Sequence, residues 1–597
     1  MIWLICFVLS ILSLAAFAVF AVACAKAKRK PGKGVSPFNL MFAGVLLAST
    51  LLFIPMQSLN FGEGADAFFK TFLIAMQNAM QVFTVDSDYS ELRQSIAVNA
   101  GGIAGGYSIL SAVMFIVAPL FTFGFVLSFF KNVSATFAYL FARYKDVYAF
   151  TELNEKSLAL AESLRENHKD CALVFTDVFD GNEEGSYELA ERAKALGAIC
   201  FKKDMLLVNF MHHSPKKDIY FFAIGEDETE NIDQSLKLIK LYSTRENTHL
   251  YVFSTRIESE LLLTSAGKGA MKVRRINEVR SLINRILYED GLSFFENALP
   301  AENGNKTISA VVVGMGRHGT EMLKALAWFG QMDGYNIEID AFDKDPLAKD
   351  KFTFLCPELM SDMYNGTHVE GESEYSIVIH SGLDVQTKSF ADEISKLNKA
   401  TYVLVALGND GDNIKTAVDL RMLFERVGAK PVIQTIVYNS DQKNALEGIK
   451  NYRGQPYNID FIGDLESSYT ENVIIDSALE ADALKRHMKW GKEEEFWQYE
   501  YNYRSSLASA IHIKARIACG IPGAAKKEEE LTEKERDDIE HLEHRRWNTY
   551  MRSEGYVFSG SSDKSSRNDL AKMHHDLVDF SSLTEEEKRK DSRVGTL

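Results

Sequence analysis

The sequence predicts a multidomain membrane protein: an α-helical transmembrane region at the N-terminus, followed by α/β domains and a small, mainly α C-terminal segment. Three observations predict this. The N-terminal part carries long runs without a charged side chain. From about residue 141, short β-branched runs alternate with amphipathic stretches of helical length, the pattern of βαβ units around parallel sheets. Residues 538–597 are different again, rich in charged and aromatic side chains without long apolar runs. A chain of 597 residues exceeds one domain and sets a prior of roughly three or four. Its formal net charge of −16 argues against a nucleic-acid partner, which calls for a basic stripe. The six cysteines show no C-x-x-C spacing, as suits a reducing compartment for the soluble part.

Residues 1–140 are expected to form the transmembrane region. Met1 to Ala25 contains no charged residue and predicts a helix over about 2–25. A signal peptide would carry its basic residues before the apolar core; here Lys26, Lys28, Arg29 and Lys30 follow it, which favours an anchored helix. Further spans are expected at 38–56 and 103–130. Positive flanks mark the cytosolic side, so Lys26–Lys33, Lys131, Arg143 and Lys145 are expected inside. The N-terminus and the segment after the second span then lie outside, in a multi-pass topology.

That outer segment holds another uncharged run of about fifteen residues, Thr71 to Val85, too short to span. It predicts a re-entrant pore helix over about 68–83, with an interfacial helix in an oligomeric anchor as the alternative. The turn after it reads Phe83-Thr84-Val85-Asp86-Ser87-Asp88-Tyr89, without the glycines that let carbonyls line a narrow filter. Thr84, Asp86 and Asp88 are the candidate pore residues. Rings of Asp86 or Asp88 from several subunits would attract cations without choosing strongly among them.

The first α/β domain is expected over 141–300, with strands at 146–150, 172–176, 219–224 and 250–253. A second is expected over 301–485, where Ile308 to Val313 is followed by Gly314-Met315-Gly316-Arg317-His318-Gly319 and a helix. The next strand, Ile337 to Phe342, ends at Asp343. In a dinucleotide-binding, Rossmann-type unit such glycines permit a tight turn and close approach of phosphate to the helix N-terminus, while the acid takes ribose hydroxyls. Gly314, Gly316, Gly319 and Asp343 are therefore the candidate cofactor-binding residues, for NAD or another adenine nucleotide. The competing reading is that the glycines only pack helix against strand. The corresponding turn of the first domain, Ala149 to Ser157, has no glycine and could not seat a pyrophosphate in the same way.

Residues 486–537 are expected to form a helical linker ending in the charged runs KKEEE and EKERDD. In 538–597, Arg545, Arg546 and Arg552 suit phosphate, and Trp547, Tyr550 and Tyr556 suit stacking on a base, with His574 beside them. The competing reading makes the aromatics core and the arginines a solvated face. No catalytic constellation or metal-ligand spacing stands out, so an enzyme is not expected.

The order of membrane helices, candidate pore loop and two Rossmann-type units resembles channels regulated by RCK (TrkA-N) domains, especially the tandem Castor/Pollux type. The likeness is carried by GMGRHG, the FDKDP stretch and the KVRRINEVR segment. The C-terminal segment resembles an RyR domain, the ryanodine receptor repeat. EHRRWNTY, Gly555-Tyr556, Lys572-Met573-His574, Asp576-Leu577-Val578 and EEEKRKD carry that resemblance, with His575 where the family usually has proline. These resemblances imply a homo-oligomeric, ligand-gated cation-channel-like membrane effector. Its partners would be membrane lipid and a nucleotide or nucleotide-derived signal, including the signals used in bacterial antiphage defence. The alternative is a membrane-anchored nucleotide sensor or scaffold without a pore. An NAD-dependent enzyme is disfavoured, because no substrate-side acid or base accompanies the glycine turn.

Overall fold

The computed structural model describes residues 1–26, 37–61, 64–84, 86, 89–129, 133–178, 184–265, 267–361, 375–449 and 451–596. Asp88 and the basic residues Lys28, Arg29, Lys30, Lys33 and Lys131 lie outside the described residues. Contacts divide the chain into two compact units. One is Met1–Phe141 with Phe179–Glu191; the other is Ala142–Val178 with Arg192–Leu597.

The first unit contains α1 (Ile2–Lys26), α2 (Pro37–Phe61), α3 (Ala65–Phe83), α4 (Tyr89–Asn99) and α5 (Ala104–Phe129). Among the described residues, three helical stretches are long and apolar enough to cross a membrane: Ile2–Phe20, Met41–Phe61 and Gly101–Thr122. Side-chain hydrogen bonds to backbone carbonyls join them. Ser10 Oγ donates to Ala48 O at 3.2 Å, and Tyr107 Oη donates to Leu52 O at 2.8 Å. The Tyr107 ring also meets Trp3 edge-on at 5.1 Å.

Helix α3 is nineteen residues long, extending N-terminally beyond the uncharged run. Thr71, Ala75, Ala79 and Val82, spaced three or four apart, form its buried stripe. The alanines let neighbouring backbones approach closely. Helix α4, absent from the sequence reading, buries only Leu92 and Ile96, so its helical periodicity shows as a single i, i+4 pair.

Helix α6 (Val133–Ala142), which belongs to the first unit up to Phe141, precedes the first sheet in sequence. The strands of that sheet are β1 (Val147–Phe150), β2 (Ala172–Phe175), β3 (Ile199–Cys200), β4 (Ile219–Ala223), β5 (Thr248–Phe253) and β6 (Lys272–Ile276). All pair in parallel, in the order β3-β2-β1-β4-β5-β6. Helices α7 (Glu155–Asn167), α8 (Glu184–Ala195), α9 (Glu228–Tyr242), α10 (Ile257–Ser265) and α11 (Glu278–Glu296) follow β1, β2, β4, β5 and β6. Register puts aromatic side chains side by side on neighbouring strands. Phe150 stacks on Phe175 and Phe222 at 4.9 Å, and Phe222 stacks on Tyr251 at 5.0 Å.

The second sheet begins with short β7 (Leu299–Pro300), antiparallel to β8 (Lys306–Val313). Then come β9 (Tyr335–Asp343), β10 (Tyr375–Ser381), β11 (Tyr402–Val405) and β12 (Val432–Ile436). A hairpin of β13 (Asn451–Tyr452) and β14 (Gln455–Pro456) precedes β15 (Ile459–Ile462). The order is β10-β9-β8-β11-β12-β15, all parallel. Helices α12 (Arg317–Phe329), α13 (Ala348–Leu355), α14 (Lys388–Ile394), α15 (Asp410–Val427) and α16 (Ser440–Glu447) follow β8 to β12. Both sheets thus run third-second-first-fourth-fifth-sixth, the doubly wound Rossmann-like order, which opens a crevice at the carboxyl ends of strands one and four. Strand β8 shows why the parallel sheet forms. Ile308, Ala310 and Val312 enter the core on one face, Val311 and Val313 on the other, and all five are buried.

The chain continues through α17 (Leu465–Ser468), α18 (Glu471–Ile474), α19 (Ala478–His487), α20 (Glu493–Gln498), α21 (Glu500–Ala518), α22 (Glu533–Ser553) and α23 (Glu585–Gly595). A small parallel pair, β16 (Val557–Phe558) and β17 (Met573–His574), lies between α22 and α23 in sequence. Helix α21 lies in the stretch expected as linker, yet Leu507, Ala508, Ala510, Ile511 and Ala515 are buried in one core with α11, α12 and α22. Its small and β-branched residues allow that close packing.

Candidate functional site

The glycine turn closes β8. Gly314 has φ +94°, and a Cβ there would overlap Ala406 O at the end of β11. A Cβ on Gly319 would overlap Gly314 O. Packing alone therefore demands these two glycines. Gly316 differs: its φ is −69°, and the nearest heavy atom to its Cβ position is Ala406 O, at 4.0 Å. The protein leaves that space open. Gly316 is also the N-cap of α12 and supplies no side-chain cap, so the first amides of α12 and its positive dipole end lack a side-chain acceptor at the cap.

The open space belongs to a cavity of about 620 Å³ at the carboxyl ends of β8 and β11, a size suited to a small-molecule ligand. Asp343, at the end of β9, lines it beside Gly314 and Gly316. Its Oδ2 accepts from Met315 N at 2.6 Å and its Oδ1 from Asp345 N at 2.7 Å. Each carboxylate oxygen keeps a second lone pair free to accept another hydrogen bond. Asn413 pins the far wall, accepting from Leu407 N at 2.6 Å and donating to Ile436 O at 2.9 Å. Lys156, Thr255 and Glu278, which follow strands of the first sheet, close the cavity from the other side. Lys156 Nζ pairs with Glu278 at 2.9 Å. Burial, aided by Arg317, brings the His318 imidazole down to about 4, so it is neutral at pH 7.

The matching turn of the first sheet is filled. Asn154 caps α7, its Oδ1 accepting from Ser157 N at 2.9 Å while Ser157 Oγ accepts from Asn154 N at 3.0 Å. That reciprocal box takes up the donors an anion would need. Glu152 adds a carboxylate, whose Oε2 accepts from Glu226 N at 3.3 Å. Two turns at equivalent places in two sheets of the same order thus differ in kind: one is capped from within, the other open.

The C-terminal candidates divide. Arg546, Trp547 and His574 line a second cavity, of about 510 Å³. Arg545 instead pairs with Asp333 at 2.7 Å. Tyr550 is buried edge-on against Trp328, with ring centroids 6.0 Å apart. Tyr556 is buried 6.0 Å from the Tyr501 ring. The sequence reading missed Arg486, Trp490 and Tyr501, which line the same cavity from the stretch expected as linker. The density of aromatics from Trp490 to Tyr503 was the available signal.

Thr84 and Asp86 are exposed just past the end of α3, where Thr84 Oγ1 donates to Gln81 O at 3.1 Å. One group of metal-ligand side chains comes together among the described residues: His574, His575 and Asp576, with ligand atoms within 4.8 Å of one another. The two imidazoles stack at 4.7 Å with a 10° interplanar angle, so their in-plane lone pairs do not converge as a metal requires. Neither a protein-family model nor a curated protein sequence matches the chain.

Proposed function

We propose that this protein is a membrane-embedded nucleotide sensor, in which NAD or another adenine nucleotide binds on the Gly314–Gly319 turn and acts on an oligomeric, channel-like membrane region. The observation that carries the reading is Gly316. Its glycine answers no packing demand, its Cβ direction is open, and it stands at an uncapped helix N-terminus facing a ligand-sized cavity. Phosphate would take the first amides of α12, and Asp343 would take the ribose hydroxyls. The proposal is one of binding, not catalysis.

In this reading the N-terminus lies outside, the two Rossmann-type units and the RyR-like segment lie in the cytosol, and α3 is the re-entrant pore helix. Titration calorimetry of the whole protein with NAD and adenine nucleotides tests the site. Saturable heat in wild type that disappears in Gly316→Asp supports it; equal heats in both proteins leave the turn purely structural.

A second reading, a nucleotide sensor or scaffold anchored in the membrane without a pore, has its own support. Phe68 and Phe69 on α3 are 69% and 64% exposed, beside Lys70, as on an interfacial helix. Nucleotide-dependent cation flux in liposomes separates the two.

A further inference from the structure

The second cavity has a property that packing does not explain. Arg546 Nη1, His575 Nδ1 and Ser509 Oγ have no hydrogen-bond partner among the described residues. Their side chains belong to residues only 1%, 6% and 4% exposed, and all three residues line this one cavity. Buried polar atoms are normally satisfied, because desolvation without a partner costs about 1–3 kcal/mol each. Three such atoms around a space of about 510 Å³ mark a place built for a polar occupant.

The charge around it indicates which kind. Arg546 spends Nε and Nη2 on Glu543, at 3.3 and 2.7 Å, and Glu543 also accepts from Arg516 Nη2 at 2.5 Å. One carboxylate therefore serves two guanidinium groups, and Arg546 keeps an edge to spare. Lys564 and Arg567 stand at the rim, where Lys564 pairs with Glu587 at 2.7 Å. Six arginine and lysine side chains line the cavity (Arg486, Arg546, Lys564, Arg567, Lys590 and Arg593) against four carboxylates (Glu543, Asp576, Glu587 and Asp591), so positive charge is in excess there. Trp547 supplies a planar wall, its ring meeting His574 edge-on at 4.9 Å. A guanidinium edge beside an aromatic face suits a phosphate attached to a planar ring.

We infer that this cavity is a second ligand site, independent of the glycine turn, taking a phosphorylated small molecule with a planar ring. The phosphate meets Arg546 Nη1 and the ring lies against Trp547. The wall is composite: α19 and α21 contribute Arg486 and Ser509, whereas α22 and the segment after it contribute Arg546, Trp547 and His575.

Equilibrium dialysis of the full-length protein in detergent, with labelled adenosine 5′-monophosphate at up to millimolar concentration, tests this. In the Gly316→Asp background the first site is blocked, and about one equivalent should still bind and be displaced by pyrophosphate. Arg546→Gln in that background should weaken binding about tenfold or more. Because Arg546 is buried against Glu543, Trp547→Leu and the rim variant Lys564→Gln serve as better-tolerated probes of the same site, and each should also weaken binding. If Gly316→Asp protein retains no adenosine monophosphate, the second site does not exist. Retention unchanged by all three cavity variants equally overturns it. If wild type binds one equivalent that survives Gly316→Asp and is lost with Arg546→Gln, the second site stands and the nucleotide reading of the glycine turn fails.

Discussion

The backbone amide of Met315 donates to Oδ2 of Asp343 at 2.6 Å, so the glycine turn after β8 and the acid closing β9 form one hydrogen-bonded corner. Asp345 N holds the other carboxylate oxygen at 2.7 Å. The acid is thereby fixed before any ligand arrives, and a ribose meeting it need not order it. Preorganisation of this kind raises affinity by removing a cost of binding.

The three glycines should separate by substitution. Gly319→Ala drives a methyl into the Gly314 carbonyl and should lower stability by about 1–3 kcal/mol, read as a lower thermal midpoint. Gly316→Ala should leave the midpoint nearly unchanged, since its Cβ meets open space, yet weaken nucleotide binding by crowding the phosphate. Gly316→Asp should abolish binding through charge as well as size. Equal loss of stability in Gly316→Ala and Gly319→Ala would show that both positions serve packing alone.

Asp343→Ala should weaken nucleotide affinity by about 1–3 kcal/mol, since it removes the ribose acceptors and frees the Met315 amide. Asp343→Asn keeps one carbonyl oxygen and should lose less. Calorimetry on the three proteins gives the order. Affinity equal to wild type in Asp343→Ala would place the ribose elsewhere.

Much of the second sheet was legible because its signals are local. Ile308 to Val313 and Val432 to Ile436 are β-branched runs that end in turns, and the strands form there. Strand β3 is only two residues, and β15 follows a short polar hairpin and is broken by Asp460, so neither offers an uninterrupted apolar run to read. The same logic holds at the site. Gly314, Gly316 and Asp343 follow from a strand-turn-helix pattern within one stretch of chain. Lys156, Thr255 and Tyr438 reach the cavity only because the fold gathers distant loops, which no local pattern encodes. In α22, composition could not tell Trp547, which lines a cavity, from Tyr550, which packs on Trp328. Both faces of that helix are covered, so aromatic content does not mark the ligand side.

The buried charges at the end of α22 should govern acid stability. Glu554 accepts from Arg504 at 2.8 Å and Arg280 at 3.1 Å, and its side chain is 10% exposed. Burial opposes its ionisation, but Arg280 and Arg504 outweigh that and hold the carboxyl well below the usual carboxylate range. A depressed folded value means the stabilisation is fully present above the unfolded glutamate value of about 4.3, and is lost as pH falls below it towards the folded value. Glu554→Gln should therefore cost about 1–3 kcal/mol at pH 7, because Arg280 and Arg504 lose a shared buried carboxylate while keeping Glu321 and Glu260 as partners, and the deficit should shrink in acid. Thermal midpoints measured from pH 7 to pH 3 check both parts. A deficit independent of pH would mean that shape, not charge, is what Glu554 supplies.

The last prediction concerns the end of α3. Asp86 is exposed just beyond Thr84, after a helix whose Thr71, Ala75, Ala79 and Val82 pack inward. Asp88 follows two residues later in the sequence. If several subunits bring this turn around one axis, the carboxylates form rings of negative charge near low-dielectric walls, where their field is stronger than in bulk water. Cations would then concentrate at the mouth. Paired Asp86→Asn and Asp88→Asn should lower cation conductance, or its preference over anions, in planar bilayers. Expression should survive, because Asp86 is water-exposed and carries no packing role. Labelling a cysteine at position 86 with an impermeant reagent should also find it on the outer face. A cytosolic position 86 would remove the rings from the conduction path altogether. Current of unchanged selectivity in the paired variant would move the selective element elsewhere on α3 or α5.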